Sequence, residues 1–340
     1  MFVLFGSLNY LPMVLFLVKP EMFYFRAWEY YSEFAYKLDK PINWEGYESG
    51  DLRRKYVFSF REKWPTHVAV DFNGYRKNRN PNGPYHIVVS GDSLVFGSGL
   101  SNDETMPWRL SDYLGVPVFN GGRTSLLNNL QYSAIRGGDK IIIEAIAERN
   151  FTARRSFNNE KLSDPNVLFR PIAQRDTGLI QAIREVRQTL YTGAPIVVRF
   201  FRRLINDVIV VITNKDDLDY LFLEHAMKPT DLEQTVIAIK ERNRIIRDMG
   251  FEYVVVPIPA KQTIYNELLD FDTKNYLPEL ISRLEADDIN VINLVESFLQ
   301  HKSEDLFFHY DTHWNPRGAD LAAREIGQWI EENHGEVIGR

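Results

Sequence analysis

His86-Ile87-Val88-Val89-Ser90-Gly91-Asp92-Ser93-Leu94 (HIVVSGDSL) is the stretch on which the fold turns. Its first five residues form a short apolar run that stops at a glycine, the pattern of a strand buried on both faces. Similar runs follow at Val116–Phe119, Lys140–Ala147 (KIIIEAIA), Glu252–Pro257 (EYVVVP) and Val291–Leu294. Between and after them come helical patterns at Met106–Leu114, Leu126–Ile135, Pro171–Leu190, Leu232–Met249 (stopped by Gly250), Leu277–Ala286 and Asn315–Ile330. Strands alternating with helices predict an α/β fold, a parallel sheet covered by helices on both faces. Ligands of such sheets sit at the C-terminal ends of the strands. Ser93 falls there, just past a glycine that permits a tight turn, and is placed as an exposed nucleophile.

A serine hydroxyl is a weak nucleophile and needs an adjacent base. The candidate lies far away in sequence, in Asp311-Thr312-His313-Trp314-Asn315-Pro316. Asn315 suits a helix N-cap and Pro316 the first helical position. Asp311 and His313 therefore sit on the loop entering the last helix. Their spacing lets the carboxylate hold one imidazole nitrogen while the other faces Ser93. The prediction is a Ser93–His313–Asp311 set. A rival reading uses the alternation of His309, Asp311 and His313, which on an extended strand would share one face and could bind zinc or another divalent metal. That reading gives Gly91-Asp92-Ser93 no purpose, so neither a metal nor a cofactor is expected.

Composition narrows the classes further. The 340 residues are 44% hydrophobic and 13% aromatic, which excludes a disordered chain. A formal net charge of −6 argues against nucleic acid as a partner. With no cysteine there can be no disulfide, thiol nucleophile or Cys-ligated metal. Residues 1–18 (MFVLFGSLNYLPMVLFLV) carry no charge. They are read as a membrane anchor over residues 1–19, against two alternatives: the remnant of a longer N-terminus, or a docking helix. Residues 20–85 form an N-terminal extension whose aromatics at 23–36 suggest a helix, followed by a loop at Arg76–Pro84 (RKNRNPNGP). The catalytic domain is expected over 86–335, with an insertion at about 150–228. Within that insertion, Ala194–Thr213 could be paired strands, a strand and a helix, or an amphipathic lid. Arg202 and Arg203 are read as solvated.

Gly91-Asp92-Ser93-Leu94 followed by Asp311-x-His313 resembles the SGNH (GDSL-type) hydrolase superfamily, whose sheet is a three-layer α/β/α, flavodoxin-like one. Val118-Phe119-Asn120-Gly121-Gly122 looks like that family's second block. By this resemblance the backbone N–H of Ser93 and that of Gly121 or Gly122 form an oxyanion hole, each donor worth ~3 kcal/mol. The family's usual Gly-x-Asn-Asp is replaced by Ala147-Glu148-Arg149-Asn150, which leaves Asn150 as a displaced oxyanion donor. The usual Asp-x-x-His is shortened to Asp311-x-His313. Asp-Thr-His-Trp-Asn, Glu144…Glu148-Arg149 and Val256-Pro257-Ile258-Pro259-Ala260-Lys261…Tyr265 resemble the alginate O-acetyltransferase branch, although in those proteins Asp-x-His precedes the serine.

The resemblance implies a carbohydrate O-acetyltransferase or acetylesterase acting through an acyl-serine on a polysaccharide or acetylated sugar. It also implies a place in the cell envelope, facing the periplasm or exterior, beside a membrane-bound O-acyltransferase. The alternative is an inactive polysaccharide-binding or scaffold subunit. Asp92, Arg149, Lys261, Tyr265 and Trp314 are candidate substrate contacts. Each also has a structural reading: Asp92 tying the turn, Arg149 pairing with Glu144 or Glu148, Lys261 on the surface, Tyr265 packed, and Trp314 packing His313.

Overall fold

The computed structural model describes residues 41–59, 62–71, 74–80, 83–124, 126–131, 141–151, 201–213, 220–222, 232–269 and 276–339. The apolar run 1–18, the aromatic segment 23–36 and the helix expected at Pro171–Leu190 lie outside them. The chain divides into two compact units. One gathers Met1–Gly74, Gln174–Phe222 and Phe308–Thr312, the other Tyr75–Ala173, Leu223–Phe307 and His313–Arg340.

In the first unit, β1 (Ile42–Glu48) pairs antiparallel with β2 (Trp64–Val70), from Ile42 opposite Val70 to Glu48 opposite Trp64. The sequence reading missed this pair. The indole of Trp44 lies over Gly46, where a Cβ would come within 2.4 Å of the ring. Trp64 stacks on Phe308 with centroids 3.9 Å apart. Residues 201–213 are helical, which resolves the ambiguous Ala194–Thr213 run over that stretch. The carboxylate of Asp207 ties this helix down by accepting the N–H groups of Val57 (2.7 Å), Phe58 (3.1 Å) and Ser59 (2.8 Å).

The second unit carries the expected sheet. Its strands are β3 (Ile87–Gly91), β4 (Val118–Gly122), β5 (Ile141–Ala147), β6 (Glu252–Ile258) and β7 (Asn290–Val291). They run parallel in the order β4-β3-β5-β6-β7. The helices are α1 (Ser93–Phe96), α2 (Met106–Leu114), α3 (Leu126–Gln131), α4 (Leu232–Asp248), α5 (Lys261–Ile264), α6 (Tyr276–Ala286), α7 (Val295–Gln300) and α8 (Pro316–His334).

Side-chain alternation sends successive strand residues to opposite faces. Val88, Ile142 and Val255 pack with Val236 and Ile239 of α4 and with Leu277 and Leu280 of α6. On β3, β5 and β6 the alternate residues Ile87, Ile143 and Val254 are buried as well. Both faces being covered explains why these strands read as continuous apolar runs. At the sheet's other side α2 lies on β4 and α8 lies on α2. The helices meet closely at Gly327, where a Cβ would sit 2.4 Å from the Tyr113 ring. The order places the first strand of the sheet, β3, between β4 and β5. The chain therefore winds in opposite directions from it, and the crevice at the ends of β3 and β5 is the switch point where α/β sheets bind ligands.

Candidate active site

Ser93 begins α1 immediately beyond β3. Gly91 is required by close approach, because a Cβ there would lie 2.2 Å from the Ala145 carbonyl and 2.4 Å from Val95 Cγ2. Asp92 is the N-cap: its Oδ1 accepts the Leu94 N–H at 2.9 Å. Its Oδ2 accepts the Ala147 N–H at 3.1 Å and the side-chain amide of Asn150. Gly97 closes the turn with a left-handed φ of 81° and donates to the Ser93 and Leu94 carbonyls. The loop beyond is held by Arg76, whose buried guanidinium donates to Asn102 Oδ1 (2.6 Å), the Leu100 carbonyl (2.6 Å) and the Gly97 carbonyl (3.3 Å). Arg76 sits in the stretch read as an ordinary polar loop. Only its partners 21–26 residues away reveal the role.

His313 is buried and its Nε2 lies 2.7 Å from Ser93 Oγ. For Nε2 to accept the serine proton, the ring proton must be on Nδ1. The loop carrying it is anchored on both sides. Trp314 is fully buried beside Phe298 (centroids 6.4 Å apart) and bridges to Phe307. Asn315 caps α8 by accepting the N–H groups of Arg317 (2.9 Å) and Gly318 (3.2 Å), and Pro316 opens the helix. Asp311, two residues earlier, belongs to the first unit and is fully buried. Its Oδ2 accepts the Asp51 N–H at 3.1 Å, and Asp51 in turn accepts the Thr312 N–H (2.8 Å) and hydroxyl (2.6 Å). Asp51 was not legible as a partner, since 260 residues separate it from Asp311.

Gly122 of β4 lies against the backbone of α1, where a Cβ would be 2.1 Å from Phe96 N. Its own N–H is taken by Asn120 Oδ1 at 3.0 Å. Gly121 is level with Ser90 in the sheet, and its carbonyl accepts from Asn129 Nδ2 at 2.9 Å. Asn150 reaches the nucleophile turn through Asp92. Glu148, in the same turn, accepts the Ala260 N–H (2.9 Å) and the Thr263 hydroxyl (2.6 Å). Burial lifts its carboxyl above the usual carboxylate range, and those two hydrogen bonds pull it partly back. Glu144 is engaged by Arg242 and by the hydroxyl of Tyr253, which burial, and then Glu144 itself, push well above its usual range.

Several sequence expectations are corrected. Asp92 is no substrate contact, because both carboxylate oxygens are spent on the turn. Trp314 has no route to a substrate, being wholly enclosed, and among the described residues its Nε1 has no hydrogen-bond partner. Tyr265 accepts the Leu306 N–H (2.9 Å) and donates to the Lys302 carbonyl (3.1 Å), so its hydroxyl ties a loop. Lys261 is not a surface residue, at 1% exposure. Arg149 is half-buried in the turn after β5. The segment carrying His309, Asp311 and His313 turns instead of running extended as the alternation supposed, with the Asp311 N–H directed to the Phe308 carbonyl (3.4 Å). The His309 ring packs on Tyr220, with centroids 4.7 Å apart.

Residues 215–339 match the family model described as SGNH hydrolase-like domain, acetyltransferase AlgX. That stretch holds Asp311 and His313 but not Ser93. A Pseudomonas aeruginosa protein described as probable alginate O-acetylase AlgJ is 29% identical over 134 residues, covering 36% of this chain and 34% of the relative. Its Pseudomonas fluorescens counterpart is 27% identical over 110 residues, covering 30% of this chain and 28% of the relative. The matched stretches thus span about a third of those relatives' length. A crystal structure of a member of the lipolytic G-D-S-L family from Veillonella parvula aligns with 73% of this chain and 97% of its own, at 11% identity and a TM-score of 0.38. By its sequence motifs and by the family-model and Pseudomonas matches, the chain resembles the SGNH hydrolase superfamily and, within it, the AlgX- and AlgJ-type acetyltransferases.

Proposed function

We propose that this protein transfers or hydrolyses acetyl groups on an extracytoplasmic polysaccharide through an acyl-serine intermediate on Ser93. The observation that carries the reading is the 2.7 Å approach of His313 Nε2 to Ser93 Oγ at the end of β3. His313 takes the hydroxyl proton as Oγ attacks the acetyl carbonyl, and Asp311 steadies the imidazolium through Nδ1. The Ser93 N–H and a Gly121 or Gly122 N–H receive the negative oxygen, which for Gly122 means giving up its bond to Asn120 Oδ1. The tetrahedral intermediate then expels the donor's alcohol, which leaves with the proton from His313. A sugar hydroxyl or water next gives its proton to His313, attacks the acetyl carbon and frees Ser93. The relatives' printed activity makes alginate the first acceptor to test, with a membrane-bound O-acyltransferase as the supplier of acetyl groups.

The test offers p-nitrophenyl acetate with and without alginate. Faster release with alginate, together with acetylated polymer, establishes transfer. Release unaffected by polymer establishes hydrolysis. Full turnover in Ser93→Ala rejects the serine mechanism. No turnover by the wild type, with glycan binding retained, leaves the scaffold reading.

A further inference from the structure

The helix over residues 201–213 (FRRLINDVIVVIT) is built inside out. Its acid, Asp207, faces inward onto the N–H groups of Val57, Phe58 and Ser59, and Val210 is buried beside it. Its large aliphatic side chains face out: Ile205 is 60% exposed, Val211 68% and Ile212 77%, with Val208 and Ile209 about half exposed. A soluble surface seldom concentrates so much contiguous apolar area without a partner for it. The apolar surface also continues inward, since Leu204, Val208, Val211 and Ile212 form one wall of a cavity of about 820 Å³ that Phe58 also lines.

Charge selects the occupant. Within the described stretch Arg202 is exposed near the N-terminal end, and no acid faces outward. An exposed cation at one end of an aliphatic strip suits anionic headgroups above acyl chains. Among the described residues no helix is long and apolar enough to cross a membrane. We infer that the helix over 201–213 is an interfacial docking element that lays its outward aliphatic face into an anionic lipid bilayer.

The absence of cysteine gives the inference a direct test, because Val208→Cys in the full chain accepts a single environment-sensitive fluorophore. On phosphatidylethanolamine–phosphatidylglycerol vesicles its emission is expected to shift to the blue and to be quenched by spin-labelled lipid. In co-sedimentation with the same vesicles, Ile205→Ser/Ile209→Ser/Ile212→Ser should weaken partitioning about ten-fold or more. Arg202→Glu should weaken it on these vesicles but not on phosphatidylcholine. The fluorophore decides the matter even where the triple variant folds poorly. Vesicle binding with no spectral change at position 208 would show that another segment meets the membrane, and would overturn the inference. A blue shift without vesicles that rises with protein concentration would overturn it too, by showing that a second copy covers the face.

Discussion

Asp92 is where the nucleophile turn is most vulnerable. Its buried carboxylate serves three donors: the N–H groups of Leu94 and Ala147 and the amide of Asn150. Replacing it with alanine leaves two enclosed backbone donors unmatched. A hydrogen bond to a charged acceptor contributes about 1.5–3 kcal/mol net. The Asn150 amide, half-buried, can turn to water, which offsets part of the loss. Asp92→Ala should therefore cost about 3–5 kcal/mol, a fall in Tm of roughly 4–7 °C for a protein of this size. Asp92→Asn should recover little, since its one oxygen can serve Leu94 or Ala147 while its NH₂ group faces the remaining donors. Asn150→Ala should cost only about 1 kcal/mol. Urea denaturation of the variants, with esterase activity measured alongside, provides the assay. Asp92→Ala within about 1 kcal/mol of wild type would refute the assignment of both oxygens to the turn.

Three further outcomes follow from the same structure. Burial raises the Glu148 pKa above its unfolded value near 4.5, so folding favours its protonated form. Wild-type stability relative to Glu148→Gln should thus be greatest below the unfolded pKa and fall as pH rises through the folded one; parallel pH–stability curves would contradict this. Arg76→Met, which strips three acceptors around the loop after α1, should lose about 2–4 kcal/mol in denaturant melts. Asn315→Ala removes the α8 cap and should cost about 1–2 kcal/mol; because His313 is two residues away, kcat should drop by more than the unfolded fraction explains.

Much of the sheet could be read directly because its strands are buried on both faces. HIVVS, KIIIEAIA and EYVVVP fall within one or two residues of β3, β5 and β6, and Met106–Leu114 coincides with α2. The helix-entry chemistry of Asn315 and Pro316 is local and was equally visible. What escaped reading depends on tertiary partners. The β1–β2 pair contains Gly46 and Pro65, and both weaken a strand pattern. Ile and Val in the 201–213 run suggested strand as readily as helix. Nothing near Asp207 in sequence announces the three N–H groups, about 150 residues away, that its carboxylate accepts. Lys261 looked like a surface residue because burial of a lysine depends on neighbours supplied by the fold. Asp51, Arg76 and Asn102 support the loops of Asp311 and Ser93 across separations that no local pattern encodes.

In the proposed mechanism Ser93 carries the acyl group and His313 activates it. Incubating the protein with an acetyl ester, quenching in acid and mapping the peptides by mass spectrometry tests this directly. One acetyl group is expected on the peptide containing Ser93, none in Ser93→Ala, and formation slowed about 10³-fold or more in His313→Ala. An acetyl group found on another residue, or formed at the wild-type rate without His313, would contradict it.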